Sequence, residues 1–368
     1  MLDEQYQPIT GPLADAAERA FRRTTPFVEM VRKYCGELKT DGLGRMYLEY
    51  EEMADPGEAT LNCDVQDESA FTRKTLPLPI THSDIERKNQ YGVWELIPRA
   101  EIDTAAKWGD FTAVEASARR VGEAVEMMFL GVGPAPNGFA PATNHFGTHG
   151  VLTHPDRSTM VHNFKRSKTH PEFIEAGAAE VVGFVEKMVG LLKDKNFYGP
   201  HDVVYGHAWD AVMDQDGLAG GERGTVRDDV LRIGEDIKDN EKLILACKRS
   251  DYLPDDTISL VQMTLDVVRV VEGQPICIVP HENGYKVLTI TVPQIRSDAY
   301  GNCGIVDARS FKPMLATRAA SIPKSEWLGA DKPVEVHVNT RGCEPMQPET
   351  AEALARAFKA VKERYYNG

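Results

Sequence analysis

The clearest pattern along the chain is an apolar residue at every third or fourth position, the spacing of one face of a helix. One such stretch runs from about residue 112 to 130 and ends in a glycine- and proline-rich turn at residues 131–139. Its apolar positions are Ala113, Ala116, Ala124, Val125, Met128 and Phe129. Thr112 is a suitable N-cap, and Gly131 favours the end of the helix. The pattern predicts an alanine-rich amphipathic helix that packs closely on a sheet.

A second helix, over about residues 170–194, has the broadest apolar face in the chain, and Thr169 and Pro171 are predicted to open it. Helices are also predicted over residues 13–38, interrupted at Pro26, over 226–237 after a cap at Thr225, and over 348–366. Thr24 and Thr25 are expected to cap the helix that follows Pro26.

From residue 243 onward the pattern changes to short segments rich in β-branched residues and separated by turns. The predicted strands cover residues 243–247, 258–263, 267–271, 276–280, 287–292 and 301–306. Asn283-Gly284 is a strong hairpin signal between two of them. Because the helices precede most of the strands and do not alternate with them, the fold class is predicted to be α+β.

Residues 43–92 read as one long projecting loop with strand character. Residues 43–53 alternate partly as a strand, residues 55–60 form a turn, and residues 61–65 are expected to pair back. Pro77 and Pro79 exclude a central strand, because proline cannot donate to a sheet ladder. So long a connection is unusual unless it has a function or docks elsewhere. A neighbouring copy of the chain is the simplest support for it.

Composition narrows the function classes. The 368 residues carry a formal net charge of −14 and are 42% hydrophobic, enough to bury the core of one large domain or two smaller ones. No apolar run reaches the roughly 18–20 residues that span a bilayer, and the acidic N-terminus has no signal-peptide core. The six scattered cysteines fit neither a zinc motif nor a compact disulfide framework, and we expect reduced thiols in a cytoplasmic setting.

Positive charge is concentrated near the N-terminus of this otherwise acidic chain. The basic residues there are Arg19, Arg22, Arg23, Arg32, Lys33, Lys39 and Arg45. A solvated helix face is the ordinary interpretation of such a run, and contact with an anionic polymer is the alternative.

Candidate chemistry is sparse. His145, His149 and His154 are the best metal candidates, but Gly147 and Gly150 oppose a shared helix face, and surface or interface histidines are the favoured interpretation. The glycine stretches at 131–138 and 217–224 lack the spacing of a phosphate-binding loop. We therefore predict no catalytic, cofactor or metal site, and a soluble enzyme of unknown chemistry is the rival class.

Four stretches resemble the shell-forming fold shared by tailed-bacteriophage major capsid proteins and encapsulins. They are AFTRKTLPLPI at 70–80, the helix and turn at 113–139 ending in FLGVGPAPNGF, LLKDKNFYGPHDVVYGHAWDAVMD at 191–214, and VVEGQPICIVPHENGYKVLTITV at 270–292. The first is similar to the returning strand of the extended loop in that fold, and the last two are similar to its apical and peripheral segments. The likeness covers about residues 10–308.

The resemblance implies an N-terminal arm (1–42), an extended loop (43–92), a peripheral domain with a long spine helix (93–196 and 249–310, the helix at 170–194), an apical domain (197–248) and a C-terminal extension (311–368). It implies a major capsid protein that assembles through pentamers and hexamers into the shell of a tailed virus, with an encapsulin that encloses cargo enzymes as the alternative. The implied partners are further copies of the chain, separate scaffolding, portal and decoration proteins, and packaged double-stranded DNA. Neither a cofactor nor a membrane is implied.

The resemblance also assigns roles to individual residues. Inter-subunit contacts are expected from Arg73, Lys74, Leu76, Leu78, Arg87 and Lys88, and a DNA-facing surface is expected from Arg19, Arg22 and Arg23. The chain would act in the virion after assembly in the host cytoplasm.

Overall fold

The computed structural model describes residues 8–40, 46–53, 71–136, 138–144, 146–218, 224–234, 242–298 and 300–310, without the side chains of 51–53, 71 and 72. The predicted turn at 55–60, the strand at 61–65 and the C-terminal extension lie outside this part of the chain.

The helices are α1 (Pro12–Thr24), α2 (Pro26–Cys35), α3 (Arg99–Lys107), α4 (Thr112–Leu130), α5 (Ala178–Lys193), α6 (Asp210–Met213) and α7 (Val226–Leu231). The strands are β1 (Glu37–Lys39), β2 (Tyr47–Met53), β3 (Phe71–Pro77), β4 (Thr81–Asp84), β5 (Glu86–Lys88), β6 (Trp94–Leu96), β7 (Val132–Ala135), β8 (Gly138–Pro141), β9 (Ser158–His162), β10 (Lys165–Arg166), β11 (Ile174–Glu175), β12 (His201–Tyr205), β13 (Ile244–Arg249), β14 (Ile258–Gln262), β15 (Val268–His281), β16 (Gly284–Ile295) and β17 (Ile305–Ser310). The α+β class predicted from the sequence is confirmed.

A four-stranded sheet in the order β1-β15-β16-β4 supports the N-terminal helices. β15 and β16 form one long hairpin that closes with His281 opposite Gly284, as the Asn-Gly signal predicts. The two strands predicted at 267–271 and 276–280 are one strand, which shifts register between Glu272 and Cys277. Helix α4 crosses β16 and β4 and buries Val121, Val125 and Phe129, while α1 and α2 pack on α4 and β15.

A five-stranded sheet in the order β13-β12-β14-β17-β9 forms the second layer. Every residue of β12 is buried, because strands pair with it on both sides. Helix α5 packs on β17 and on α7 and contributes Val181, Val185, Met188 and Leu192 to the core. One continuous apolar cluster joins residues of both sheets to the helices.

The five-stranded sheet takes strands from two predicted domains, and one predicted helix begins later than expected. The predicted apical domain, 197–248, supplies only β12 and β13 to the five-stranded sheet, whose other strands come from segments assigned to the peripheral domain. Helix α4 packs on β16 and β4 of the four-stranded sheet, whereas α5, the predicted spine helix of the peripheral domain, packs on β17 of the five-stranded sheet. Helix α5 begins eight residues later than predicted, because Ile174–Glu175 pairs with Lys165–Arg166 as a small antiparallel ladder.

Part of the predicted loop, 43–92, lies in the body of the subunit. Strand β4 is hydrogen-bonded to β16, and Ile85 is fully buried, so the chain rejoins the body of the subunit soon after Pro77. Within the described part of the predicted loop, β2 and β3 keep the character of a projecting element.

Candidate assembly surfaces

The projecting element is a two-stranded ribbon formed by β2 and β3, paired from Tyr47 opposite Pro77 to Met53 opposite Phe71. In the described part of the chain, these two strands pair only with each other. At the start of the ribbon, Met46 is 83% exposed and Tyr47 is 56% exposed. The ribbon therefore presents two unpaired edges and exposed apolar side chains.

The base of the ribbon is anchored within its own subunit. Leu76 and Leu78 are buried against Val271, Ile290 and Val292 of the long hairpin, and Leu48 and Tyr50 pack beside them. Both side chains are buried within their own subunit, and their contact with a neighbouring subunit stays a prediction. The sequence Leu-Pro-Leu-Pro at 76–79 does not distinguish burial inside the subunit from contact with a neighbouring subunit.

Arg73 and Lys74 are exposed on β3. Both line a cavity of about 490 Å³, here called the ribbon pocket, which lies between the base of the ribbon and the loop 147–156. His149, His154 and Thr148 form part of its opposite wall. The structure thus brings the predicted basic residues of the loop together with two of the three predicted histidines.

The loop that carries these histidines is fixed to the C-terminal end of α4. The backbone N–H groups of Val151 and Leu152 donate to the carbonyls of Phe129 and Leu130, at 2.9 Å each. Gly150 lies so close that a Cβ there would be 2.2 Å from the backbone nitrogen of Gly131. The carbonyl oxygens at a helix end lack partners inside the helix, and this loop satisfies two of them. The pocket wall is consequently built on a rigid junction.

His149 and His154 are neighbours, with ring centroids 6.1 Å apart. His145 lies outside the described residues. Burial lowers the pKa of His154 to about 4, so its ring is neutral near pH 7. Across the described ranges, no group of three or more metal-ligating side chains is close enough to hold a metal ion.

Arg87 and Lys88 lie on the small hairpin of β5 and β6. Arg87 forms ion pairs with Glu95 and Glu101 of its own subunit. The ammonium of Lys88 lies 5.2 Å from the ring centre of Trp94. Arg120 of α4 stacks on the same ring at 4.8 Å, so two cations hold Trp94 in place.

The hairpin exposes aromatic residues that the sequence interpretation missed. Tyr91 is 81% exposed and Trp94 is 48% exposed, with Trp108 close by in sequence at 86%. Large exposed aromatic residues are enriched at protein interfaces. The signal was visible as NQYGVW at 89–94, a turn flanked by aromatic residues in an otherwise polar segment.

Within the predicted N-terminal arm, α1 and α2 form a helix pair that packs on α4 and β15. Ala16, Ala17, Ala20 and Phe21 are buried on one face of α1, while Arg19, Arg22 and Arg23 are exposed on the other. Acidic neighbours offset much of the positive charge: Arg22 pairs with Glu18 at 2.8 Å, and Arg32 pairs with Glu29, Glu37 and Glu272.

Glu126 of α4 holds this helix pair in place. Its two carboxyl oxygens accept the backbone N–H groups of Phe27 and Val28, at 2.9 and 3.2 Å, in the first turn of α2. The N-terminus of a helix has unpaired donors and a positive dipole end, which suits a carboxyl group. Burial raises the pKa of Glu126 to about 8, against the lowering effect of these two hydrogen bonds.

Thr25 occupies the predicted N-cap position of α2, and its carbonyl accepts the backbone N–H of Glu29 at 3.0 Å, but neither Thr24 nor Thr25 caps α2 with its side chain. Their hydroxyls donate instead to the carbonyls of Ala20 and Phe21 in the last turn of α1.

No family model matches the sequence, and no curated protein matches it. Several solved structures are similar to this chain. A virus-like particle from Pyrococcus furiosus is 10% identical, with 81% of this chain and 100% of that chain covered and a TM-score of 0.45. The capsid of Myoviridae phage XM1 is 8% identical over 72% of this chain and 83% of that chain, with a TM-score of 0.43. The capsid of a native GTA particle is 12% identical over 82% of this chain and 99% of that chain, with a TM-score of 0.43. The first of these is described as a virus-like particle, and the other two are described as capsids.

Among the described helices, none combines the length and the apolar character that a bilayer crossing requires.

Proposed function

We propose that this chain is the major capsid protein of a tailed virus, which self-assembles through pentamers and hexamers into an icosahedral shell around a double-stranded DNA genome. Its role is structural and not enzymatic. It acts in the virion, is assembled in the host cytoplasm, and has separate scaffolding, portal and decoration proteins as further partners.

The observation that carries this proposal is the ribbon of β2 and β3. A two-stranded ribbon is marginally stable in water unless a further surface covers it. Here the base is anchored through Leu76 and Leu78, while Met46 and Tyr47 are exposed and both edges lack a further strand among the described residues. A neighbouring subunit supplies the missing cover, and repetition of that contact around a symmetry axis closes a ring.

The exposed members of the predicted contact set, Arg73, Lys74, Arg87 and Lys88, remain proposed inter-subunit contacts. Each exposed ion pair contributes at most about 1 kcal/mol. Such charges therefore set register and specificity between subunits, and the apolar surface beside them supplies more of the binding free energy.

A second candidate is an encapsulin shell that encloses cargo enzymes. The specific observation in its favour is the ion pairing of the N-terminal helices, because Glu18, Glu29 and Glu37 offset the charge of Arg22 and Arg32. A surface with little excess positive charge binds DNA weakly. For the capsid proposal, Arg19, Arg22 and Arg23 remain the DNA-facing residues.

Sedimentation velocity and negative-stain electron microscopy of the purified full-length chain test the assembly. We expect closed particles, and we expect Tyr47→Glu to shift the population to small oligomers while the unassembled subunit keeps its melting temperature. Tyr198→Glu is the matched control, since Tyr198 is 62% exposed and lies outside the ribbon. Wild-type chains that stay monomeric at all concentrations, with or without scaffolding protein, would refute the proposal. The contents of isolated particles, DNA or a protein cargo, decide between the two candidates.

A further inference from the structure

The outer face of the ribbon carries an aromatic residue and an acidic residue two positions apart. Side chains alternate along a strand, so Leu48 and Tyr50 face the apolar cluster at the ribbon base, while Tyr47 and Glu49 face away from it and are exposed. Their cross-strand neighbours, a proline and a threonine, carry no charge. Glu49 forms no ion pair with the described residues of its own subunit. Its carboxylate is therefore available to a partner.

Two cations beside the β5–β6 hairpin lack a carboxylate in the same way. The ammonium of Lys88 and the guanidinium of Arg120 lie 5.2 and 4.8 Å from the ring centre of Trp94. The adjacent cations Arg87 and Arg119 are ion-paired, whereas Lys88 and Arg120 have no ion pair within the described ranges. A guanidinium that lies over a ring keeps its in-plane N–H donors for a carboxylate. Lys88, Trp94 and Arg120 are here called the cation–tryptophan site.

The hairpin that presents this site is held in one conformation. The side-chain oxygen of Asn89 accepts the backbone N–H groups of Tyr91 and Val93, at 2.9 and 3.1 Å. The backbone N–H of Asn89 donates to the carbonyl of Val93 at 2.9 Å. A surface that is ordered before binding loses less entropy when a partner docks. Trp94 is still 48% exposed, so part of its ring is open to such a partner.

The spacing on the ribbon matches the spacing at the site. Two residues along a strand are about 7 Å apart, and each cation lies about 5 Å from the ring centre of Trp94. A tyrosine packed on the open part of that ring therefore brings a carboxylate two positions further along the strand within reach of a cation. Aromatic pairs and charge-assisted hydrogen bonds are both favourable contacts between proteins.

We propose that the ribbon of one copy docks on the cation–tryptophan site of a second copy, with Tyr47 packed on Trp94 and the carboxylate of Glu49 bound by Lys88 and Arg120. The inference rests on the proposed function and names the surface that receives the ribbon. The occupant follows from charge complementarity, since the acidic residue and the two cations are each left without an ion pair in their own subunit. Each copy offers one ribbon and one site, so the contact is head-to-tail and closes a ring.

Charge exchange between copies tests this contact. Glu49→Lys and Arg120→Glu each replace attraction by repulsion, so each should raise the concentration needed for assembly by roughly tenfold. The melting temperature of the unassembled subunit should not change, because both positions are exposed. Glu186→Lys and Lys187→Glu, the same charge changes at exposed positions on α5, are the controls and should assemble like the wild type.

Recovery is the decisive result. An equal mixture of the Glu49→Lys and Arg120→Glu chains should assemble near the wild-type concentration, because every contact is attractive when the two variants alternate around a ring with an even number of subunits. A chain that carries both substitutions should recover alone. A contact within one subunit would allow the second recovery but not the first.

Hydroxyl-radical footprinting of the wild type needs no variant. Tyr47 and Trp94 should be oxidised more slowly in shells than in the unassembled chain. Tyr198, which is 62% exposed and lies outside both surfaces, is the reference residue. Equal reactivity of Trp94 in the two states would overturn the proposal.

The failure of this inference is distinct from the failure of the proposed function. If the wild type forms shells but both single variants assemble like it, or the mixture does not recover, the docking proposal is overturned while the shell function stands. If Lys88→Glu with Arg120→Glu leaves assembly unchanged but lowers the DNA retained by particles, nucleic acid occupies the site and the proposal is also wrong. If the wild type forms no shell, the function itself fails.

Discussion

The contact of Glu126 with the first turn of α2 gives the sharpest prediction about stability. Glu126→Ala removes the acceptor for the N–H groups of Phe27 and Val28, both of which are buried. An unsatisfied buried donor costs about 1–3 kcal/mol, and the space left by the side chain adds to this. We expect a total loss of about 3–5 kcal/mol in the free energy of unfolding. Glu126→Gln keeps the volume and one acceptor oxygen, so its loss should be smaller.

The pH dependence has a defined sign. The pKa of Glu126 is raised from its ordinary 4.5 to about 8 in the folded state. Between these values the folded chain holds a proton that the unfolded chain has released, so the contribution of this group to stability falls as pH rises. The slope is at most about 1.4 kcal/mol per pH unit. Because Gln does not titrate, the stability of wild type relative to Glu126→Gln should decrease from pH 5 to pH 8.

Urea unfolding of the unassembled full-length chain, followed by far-UV circular dichroism at pH 5, 6, 7 and 8, measures both effects. Glu123→Gln, one turn earlier on α4, is the matched control and should change the free energy of unfolding by less than about 1 kcal/mol. A loss below about 1 kcal/mol for Glu126→Ala, or a difference between wild type and Glu126→Gln that does not change with pH, would refute the reasoning.

Three other predictions concern the loop junction, the ribbon base and the N-terminal helices. Gly150→Ala should lower the free energy of unfolding by more than about 3 kcal/mol or prevent folding, because its Cβ would lie 2.2 Å from the backbone nitrogen of Gly131. Gly183→Ala is the control: a Cβ there meets nothing within 4 Å inside α5, so this variant should stabilise the chain by about 0.5–1 kcal/mol. Equal melting temperatures for the two variants would contradict this prediction. Leu78→Ala should lower stability by about 2–5 kcal/mol and speed amide hydrogen exchange in β3, and unchanged exchange there would show that the ribbon is not anchored through Leu78. Arg22→Glu with Arg23→Glu should change the free energy of unfolding by less than about 1 kcal/mol but reduce the DNA retained by particles, measured by absorbance ratio; full retention would remove these residues from the DNA-facing set.

Local patterns in the sequence predict the elements whose structure is decided locally. Helix α4 lies where the three- and four-residue spacing places it, because its apolar face and the glycine after it need no distant partner to define them. The Asn283-Gly284 turn and the capping box at Thr225 are equally local and also match. The predicted start of α5 does not match. Pro171 is typical of a helix start, but Ile174–Glu175 pairs with Lys165–Arg166 as an antiparallel ladder before the helix begins.

Local sequence patterns do not predict which strands or side chains pair when they lie far apart in the sequence. Strand β17 lies between β14 and β9 in the five-stranded sheet, and nothing in the spacing of residues 158–162 identifies that partner. Glu126 was open to prediction: it lies between Gly122 and Phe129 at helical spacing, in the middle of the buried face of α4. A charged residue within an apolar stripe signals a buried hydrogen-bond partner. Its partner, the first turn of α2, is about 100 residues away and became visible only in the fold.

Electron cryo-microscopy of the purified full-length chain is the most direct test of assembly through the ribbon. We expect closed shells in which β2 and β3 of each subunit lie against an adjacent copy, with Met46 and Tyr47 buried in that contact. Shells in which the ribbon contacts only its own subunit, or a chain that forms no shell under any condition, would contradict the proposal.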